Sequence, residues 1–274
     1  MTAPLLRTPQ LGSPRQVVRT VFGCDPEVVS PNVVLSPFVP LKAFRRHVQQ
    51  VVAELTPPFF FKGFRALFED HPVTVIHTGI GPSRIGDCLG FLSHTPARRV
   101  CFAGAVGALD PAYRIGDFFV PTAAADGEGY SRYCRESFPQ LAATAPVVSC
   151  PEEPGTLDAL LAEEELRLHR GRVFTVGSIA FESPENLRAL RDLGFDALEM
   201  ELSAFYTAAA HHGFAAISLT YVSDLPLTRS LWQEKTTEER ELLSRAYRAL
   251  PLLALRHATN PGPSRSSPAP ARSK

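Results

Sequence analysis

"RRVCFAGAVGALDPAYRIGDFFVP", residues 98–121, joins two short apolar runs, 99–104 and 117–123, through a wide turn. Short apolar runs bounded by turn formers have the form of strands. The first is apolar on both faces, which suits a sheet covered on both sides. It ends in Ala103, Gly104 and Ala105, and small residues there let a ligand lie against the backbone.

The same pattern extends outward. "NVVLS" (32–36), "VTVIHT" (73–78), "RVFTVGS" (172–178) and "AAISLTYVS" (215–223) are further candidate strands. Helices are expected over about 40–55, 83–93, 156–170, 184–193, 201–212 and 237–257, several of them opening near Ser, Thr or Pro. This alternation predicts a single α/β domain with a mixed, mostly parallel central sheet flanked by helices. In such folds ligands bind where loops leave the C-terminal ends of the strands. The domain is expected over residues 30–257, after a loose N-terminal extension (1–29) and before a Pro/Ser/Ala-rich tail (258–274) too poor in apolar surface to order itself.

Composition removes several classes of function. Lys plus Arg number 28 and Asp plus Glu 28, so no net field draws a polyanion, and nucleic-acid binding is not expected. No apolar run approaches the roughly 20 residues a bilayer span needs, so no membrane partner is expected. The five cysteines are scattered without a CxxC pair, which argues against a zinc site or disulfide framework and for free thiols in the cytoplasm. The first residues lack the apolar core of a secretory signal.

"HTGIGPSRIGDCLG" (77–90) follows a strand and opens a helix, but a dinucleotide fingerprint would need glycine where Arg84 stands. Gly79 and Gly81 still allow a tight turn, and a helix N-terminus favours an anion. A plain glycine turn with a Ser83 cap explains the same residues.

Taken in chain order, "GIGPSRIG" (79–86), residues 98–121, "DGEGYSRYC" (126–134), "EMELSAFYTAA" (199–209) and "YVSDLP" (221–226) resemble the motifs of the nucleoside phosphorylase family, which includes uridine phosphorylase, hexameric purine nucleoside phosphorylase and methylthioadenosine nucleosidase. The resemblance covers roughly residues 30–250. It implies that Glu201 binds the ribose hydroxyls, Met200 packs under the sugar, and Asp224, beside Ser223, faces a purine ring nitrogen. That chemistry is sensible in itself, because the departing base needs a proton or a strong hydrogen bond, and an Asp in a dry pocket supplies either. Without the resemblance, Asp224 would read as a turn cap. Glu199 and Glu201, one residue apart, do not share a helical face. Glu201 is therefore expected on the sugar and Glu199 as support for the loop.

The likeness weakens at phosphate. "SPFVPLKAFRR" (36–46) stands where the family has "GDPxR", so Lys42 substitutes for the phosphate arginine and Phe38 for a glycine. Arg99 matches a second phosphate arginine, Gly81 lies in the turn expected to hold phosphate, and Phe102 occupies the position of the hydroxyl donor. The nucleosidases' water-activating Glu is also absent, so a hydrolase would need water positioned by another group, such as Glu128 or His77. Phe181 is a candidate to stack on the base, although burial in the core is the commoner role of a Phe. The expectation is phosphorolysis of a purine nucleoside to base and pentose 1-phosphate, with no cofactor beyond phosphate. The alternatives are hydrolysis, uridine phosphorolysis and a non-catalytic nucleoside binder. A homo-oligomer, dimer or hexamer, is implied, with one subunit lending a side chain to its neighbour's pocket.

Overall fold

Strand β5 (Arg99–Ala108) lies at the heart of a ten-stranded mixed sheet in the computed structural model, which describes residues 13–151, 161–162 and 166–259. It pairs in parallel with β1 (Asn32–Ser36) on one side and β10 (Ala215–Asp224) on the other; Asn32 and Ala215 both stand opposite Arg99. Three strands therefore start level and run out toward one edge. Beyond β1 lie β4 (His71–His77), β3 (Lys62–Phe68) and β2 (Gln50–Leu55), the last two added antiparallel. On the other side β10 pairs with β6 (Phe118–Gly127), β6 with β8 (Leu168–Val176), β8 with β9 (Ala197–Glu199), and β9 returns to the end of β5. Strands β5, β10, β6, β8 and β9 thus close a ring, and β7 (Val147–Ser149) pairs with β6 outside it.

Side chains along β5 alternate between two cores, as the two-residue period of a strand requires. Val100, Phe102 and Val106 enter the core under α1 (Pro14–Phe22), α3 (Pro82–Leu92) and α7 (Leu202–His212). Cys101 and Ala103 enter the one under the long terminal helix α8 (Thr237–Thr259), which contributes Leu250, Leu253 and Leu255. Each fully buried Val, Leu or Phe contributes about 1.5–3 kcal/mol. Further helices among the described residues are α2 (Leu41–Arg45), α4 (Tyr130–Tyr133), α5 (Phe138–Thr144) and α6 (Pro184–Asp192).

Three expectations change. The helix expected over 40–55 is only Leu41–Arg45; Gln50–Leu55 is strand β2, whose Val51 and Val52 suit a pleated edge. Of the helix expected over 156–170, residues 156–160 and 163–165 lie outside the described residues, while Leu168–Arg170 belong to β8. The 1–29 extension is not loose throughout. Pro14–Phe22 forms α1, capped by Ser13, whose hydroxyl oxygen accepts from the Gln16 N–H at 3.3 Å, and ended by Gly23 at φ 69°. Val17, Val18, Val21 and Phe22 are buried there, so the helix belongs to the core. At the other end α8 continues to Thr259, and the rest of the expected tail lies outside the described residues.

Candidate active site

A cavity of about 450 Å³ opens at the edge where β5 and β10 end. Ala105, Val106 and Gly107 of β5 form its floor, Leu198 to Glu201 one wall, and Tyr221, Ser223 and Asp224 of β10 another. Phe38, Ile80, Ile179, Glu182, Leu231 and Lys235 close in from loops. The lining is mostly apolar with a few convergent polar groups, the usual make-up of a small-molecule site. Gly107 is small of necessity, because a Cβ there would stand 2.8 Å from the Pro226 ring.

The Glu199–Glu201 junction is built by the start of α7. No side chain caps that helix from Glu201, its N-cap position, yet the amides of Glu201, Leu202 and Ser203 all find side-chain acceptors. Glu199 accepts from the N–H of Glu201 at 2.5 Å and of Leu202 at 2.7 Å, and from the Thr175 hydroxyl. Thr175 in turn accepts from the Ser203 N–H at 2.9 Å. A carboxylate at this end also complements the helix dipole. Glu201 reaches the other way, accepting from the Gly81 N–H at 2.6 Å, across to the start of α3. Burial holds both carboxyls well above their usual range, with Glu201's charge adding to the effect on Glu199. Two acids so placed titrate as a pair.

Asp224 ends β10 just past a register shift at Val222, the kind of irregularity that re-aims a side chain. It is 2% exposed. The Ser223 hydroxyl lies 2.7 Å from its carboxylate and 3.2 Å from the Val106 carbonyl, so its single proton serves one or the other. Burial raises the Asp224 pKa, and Ser223, Lys235 and the Leu231 N–H oppose the rise. Glu182 is pushed up to about 7, mainly by burial and then by the charge of Asp224.

The structure thus gathers Glu199, Met200, Glu201, Ser223 and Asp224 around one space, and places the other sequence-derived candidates elsewhere. Ala103 and Gly104 lie deeper in β5, where Ala103 accepts the Ser36 hydroxyl at 2.8 Å and the Phe102 ring covers Gly104. The cavity is floored two residues further on. Phe181 does not line it; the ring packs on Tyr133 at 4.7 Å and Tyr130 at 5.5 Å, between Ile179 and Glu182, which do line it. The phosphate set is dispersed. Arg99 starts β5, six residues or about 20 Å before Ala105, too far for its side chain to bridge. Phe102 is a core residue packed on Phe205 at 5.5 Å. Lys42 is exposed on α2, and the Gly81 amide is already committed to Glu201. Glu128 accepts the Ser203 hydroxyl at 2.6 Å, and neither it nor His77 lines the cavity. Among the described residues no cluster of His, Cys, Asp and Glu could hold a metal ion.

Sequence reasoning missed Glu182, Lys235 and Gly107. The first follows Phe181 directly in a stretch already suspected of facing the base, so an acid two residues before Pro184 was the signal available. Lys235 comes from the segment before α8, outside the matched motifs, where Trp232 is 78% exposed and Leu231 lines the cavity.

Comparison with known proteins agrees with this architecture. The chain is 28% identical over 185 residues to the DeoD-type purine nucleoside phosphorylase of Streptococcus pyogenes, covering 65% of this chain and 73% of that one. It is 28% identical over 181 residues to the Bacillus cereus protein of the same name, with the same coverage. In fold it matches uridine phosphorylase from Vibrio fischeri (TM-score 0.68, 20% identity, 83% of this chain and 90% of that one). It also matches the 5'-methylthioadenosine/S-adenosyl homocysteine nucleosidase of Campylobacter jejuni (TM-score 0.66, 15% identity, 83% and 97%). The model of the phosphorylase superfamily matches residues 32–255, which span every strand of the sheet, and the chain belongs to that family.

Proposed function

We propose that this chain cleaves the N-glycosidic bond of a purine-type nucleoside and passes the pentose to phosphate. The observation that carries the proposal is the convergence of Glu201 and Asp224, from two different elements, on one mostly apolar cavity with Met200 between them in the lining. Glu201, fixed by the Gly81 amide, holds the ribose hydroxyls, and Met200 packs under the sugar. As the bond lengthens, positive charge grows on the sugar and negative charge on the base. Glu201 steadies the first, and Asp224, whose protonated form burial favours, gives a proton to the purine's imidazole nitrogen. Phosphate then captures the sugar, and no other cofactor is required. The DeoD-type relatives, named purine nucleoside phosphorylases, support both purine and phosphate.

One observation favours water as the acceptor instead. Among the described residues lining the cavity, Lys235 is the only cation, against the acids Glu182, Glu199, Glu201 and Asp224. A phosphate dianion would meet more repulsion than attraction there unless a neighbouring subunit supplies charge. Incubating the purified chain with inosine, adenosine, guanosine and uridine, with and without phosphate, decides the matter. Base release that requires phosphate upholds phosphorolysis, and equal release without it upholds hydrolysis. Absence of release from every nucleoside refutes the enzymatic proposal; stabilisation by nucleoside in a thermal melt would then mark a binder. A homo-oligomer is proposed on the same footing, supported by Phe59, 84% exposed, and Val52, 50% exposed; light scattering on the eluted protein tests it. No described helix is long and apolar enough to cross a membrane.

A further inference from the structure

The four acids lining the cavity are not equally occupied. Glu199 is taken by three protein donors, Glu201 by the Gly81 N–H, and Asp224 by Ser223 and the Leu231 N–H. Among the described residues, none hydrogen-bonds to the carboxylate of Glu182, which projects from the loop between β8 and α6 into the same cavity. Asp224 lines the same cavity, and its charge disfavours ionisation of Glu182. Two acids lining one dry space disfavour double ionisation, so that one proton is readily held between them. With a single proton they present one donor and one acceptor to the same cavity.

Purine bases offer two contrasting edges to such a pair. A 6-aminopurine shows N7 as acceptor next to an amino donor, whereas a 6-oxopurine shows two acceptors, N7 and O6. Resting on the purine nucleoside proposal above, we propose that Glu182 and Asp224 jointly read the N7 and C6 edge of the base and select a 6-amino over a 6-oxo purine. Asp224 donates to N7 while the ionised Glu182 accepts from the 6-amino group. A 6-oxo base would need a second proton on the pair or would set O6 against a carboxylate. The other charged groups facing the pair are Lys235, from the segment before α8, and Glu201 and Glu199, from the β9–α7 junction. Lys235 favours keeping the pair at a single proton, since its charge already draws the Asp224 pKa down.

The test compares kcat/KM for adenosine and inosine in wild type and in Glu182→Gln, with calorimetric binding of adenine and hypoxanthine to both proteins. The expected result is an adenosine preference of at least tenfold in wild type, collapsing in Glu182→Gln because the amide donates to O6 as readily as it accepts. Glu182→Asp, which keeps the charge, should retain the preference, and far-UV circular dichroism confirms that each variant is folded. An unchanged ratio in Glu182→Gln, or a wild type that prefers inosine, overturns the proposal while leaving nucleoside cleavage intact. If no nucleoside is cleaved, the functional proposal fails and the binding arm still decides: adenine over hypoxanthine in wild type alone supports the role of Glu182, and equal binding refutes it.

Discussion

Replacing Glu199 with Ala isolates what that carboxylate does. In the wild type it accepts from the first two amides of α7, at 2.5 and 2.7 Å, inside a site where Glu199 itself is 5% exposed. Truncation leaves both amides without an acceptor, at about 1–3 kcal/mol for each buried donor. Removing the like acid buried beside Glu201 offsets part of that loss. The expected net destabilisation is about 2–4 kcal/mol, a large share of the roughly 5–15 kcal/mol typical of a folded domain. Urea unfolding should show a lower midpoint with an unchanged slope, since the surface exposed on unfolding is the same. Glu199→Gln keeps one oxygen for the amides and should lose about half as much. Destabilisation under about 0.5 kcal/mol in Glu199→Ala, or equal losses in both variants, would refute the view that Glu199 builds the helix start and thereby positions Glu201.

Three further outcomes are expected. Asp224→Asn should lower kcat by about 10²–10⁴-fold, the range of a lost general acid, while a thermal melt stays close to wild type. Gly107→Ala places a Cβ 2.8 Å from the Pro226 ring and 3.3 Å from Leu198, so steady-state kinetics should show a higher KM, and unfolding a strain loss of about 1–3 kcal/mol. Glu182 has a folded-state pKa of about 7 against an ordinary 4.5, so the folded chain holds this proton more tightly than the unfolded chain does. The stability it contributes is full below about pH 4.5 and is lost as pH rises toward 7; across that window wild type should fall relative to Glu182→Gln by about 1–2 kcal/mol, allowing for partial exposure.

The fold was legible where strands were apolar on both faces, as in Val33 to Leu35 and Val100 to Ala103, because burial on two sides leaves a continuous run. It was not legible in Gln50–Leu55, a strand with an exposed edge whose mixed polarity passes for a helix continuing from Leu41. Helix α1 carried its signals openly, Ser13–Pro14 before it and Gly23 after it, and was overlooked because the surrounding residues look like a loose tail. In the site, motif positions located the residues that follow strands, Met200, Glu201 and Asp224. Motif position did not show that Arg99 starts β5 well before the cavity, since a place in a strand says nothing of the distance to the strand's end. Glu182 and Lys235 lie in connecting segments, whose path depends on how the ring of strands closes and not on local pattern.

The most direct test of the central claim, that Glu201 and Asp224 work together on one nucleoside, is the rate of purine release followed by reversed-phase chromatography for wild type, Glu201→Ala and Asp224→Asn. Wild type should liberate free base from adenosine in the presence of phosphate, with each substitution lowering kcat/KM by at least about tenfold, in keeping with the loss of a charged hydrogen bond or a proton donor. Purine release by both variants at the wild-type rate would contradict it.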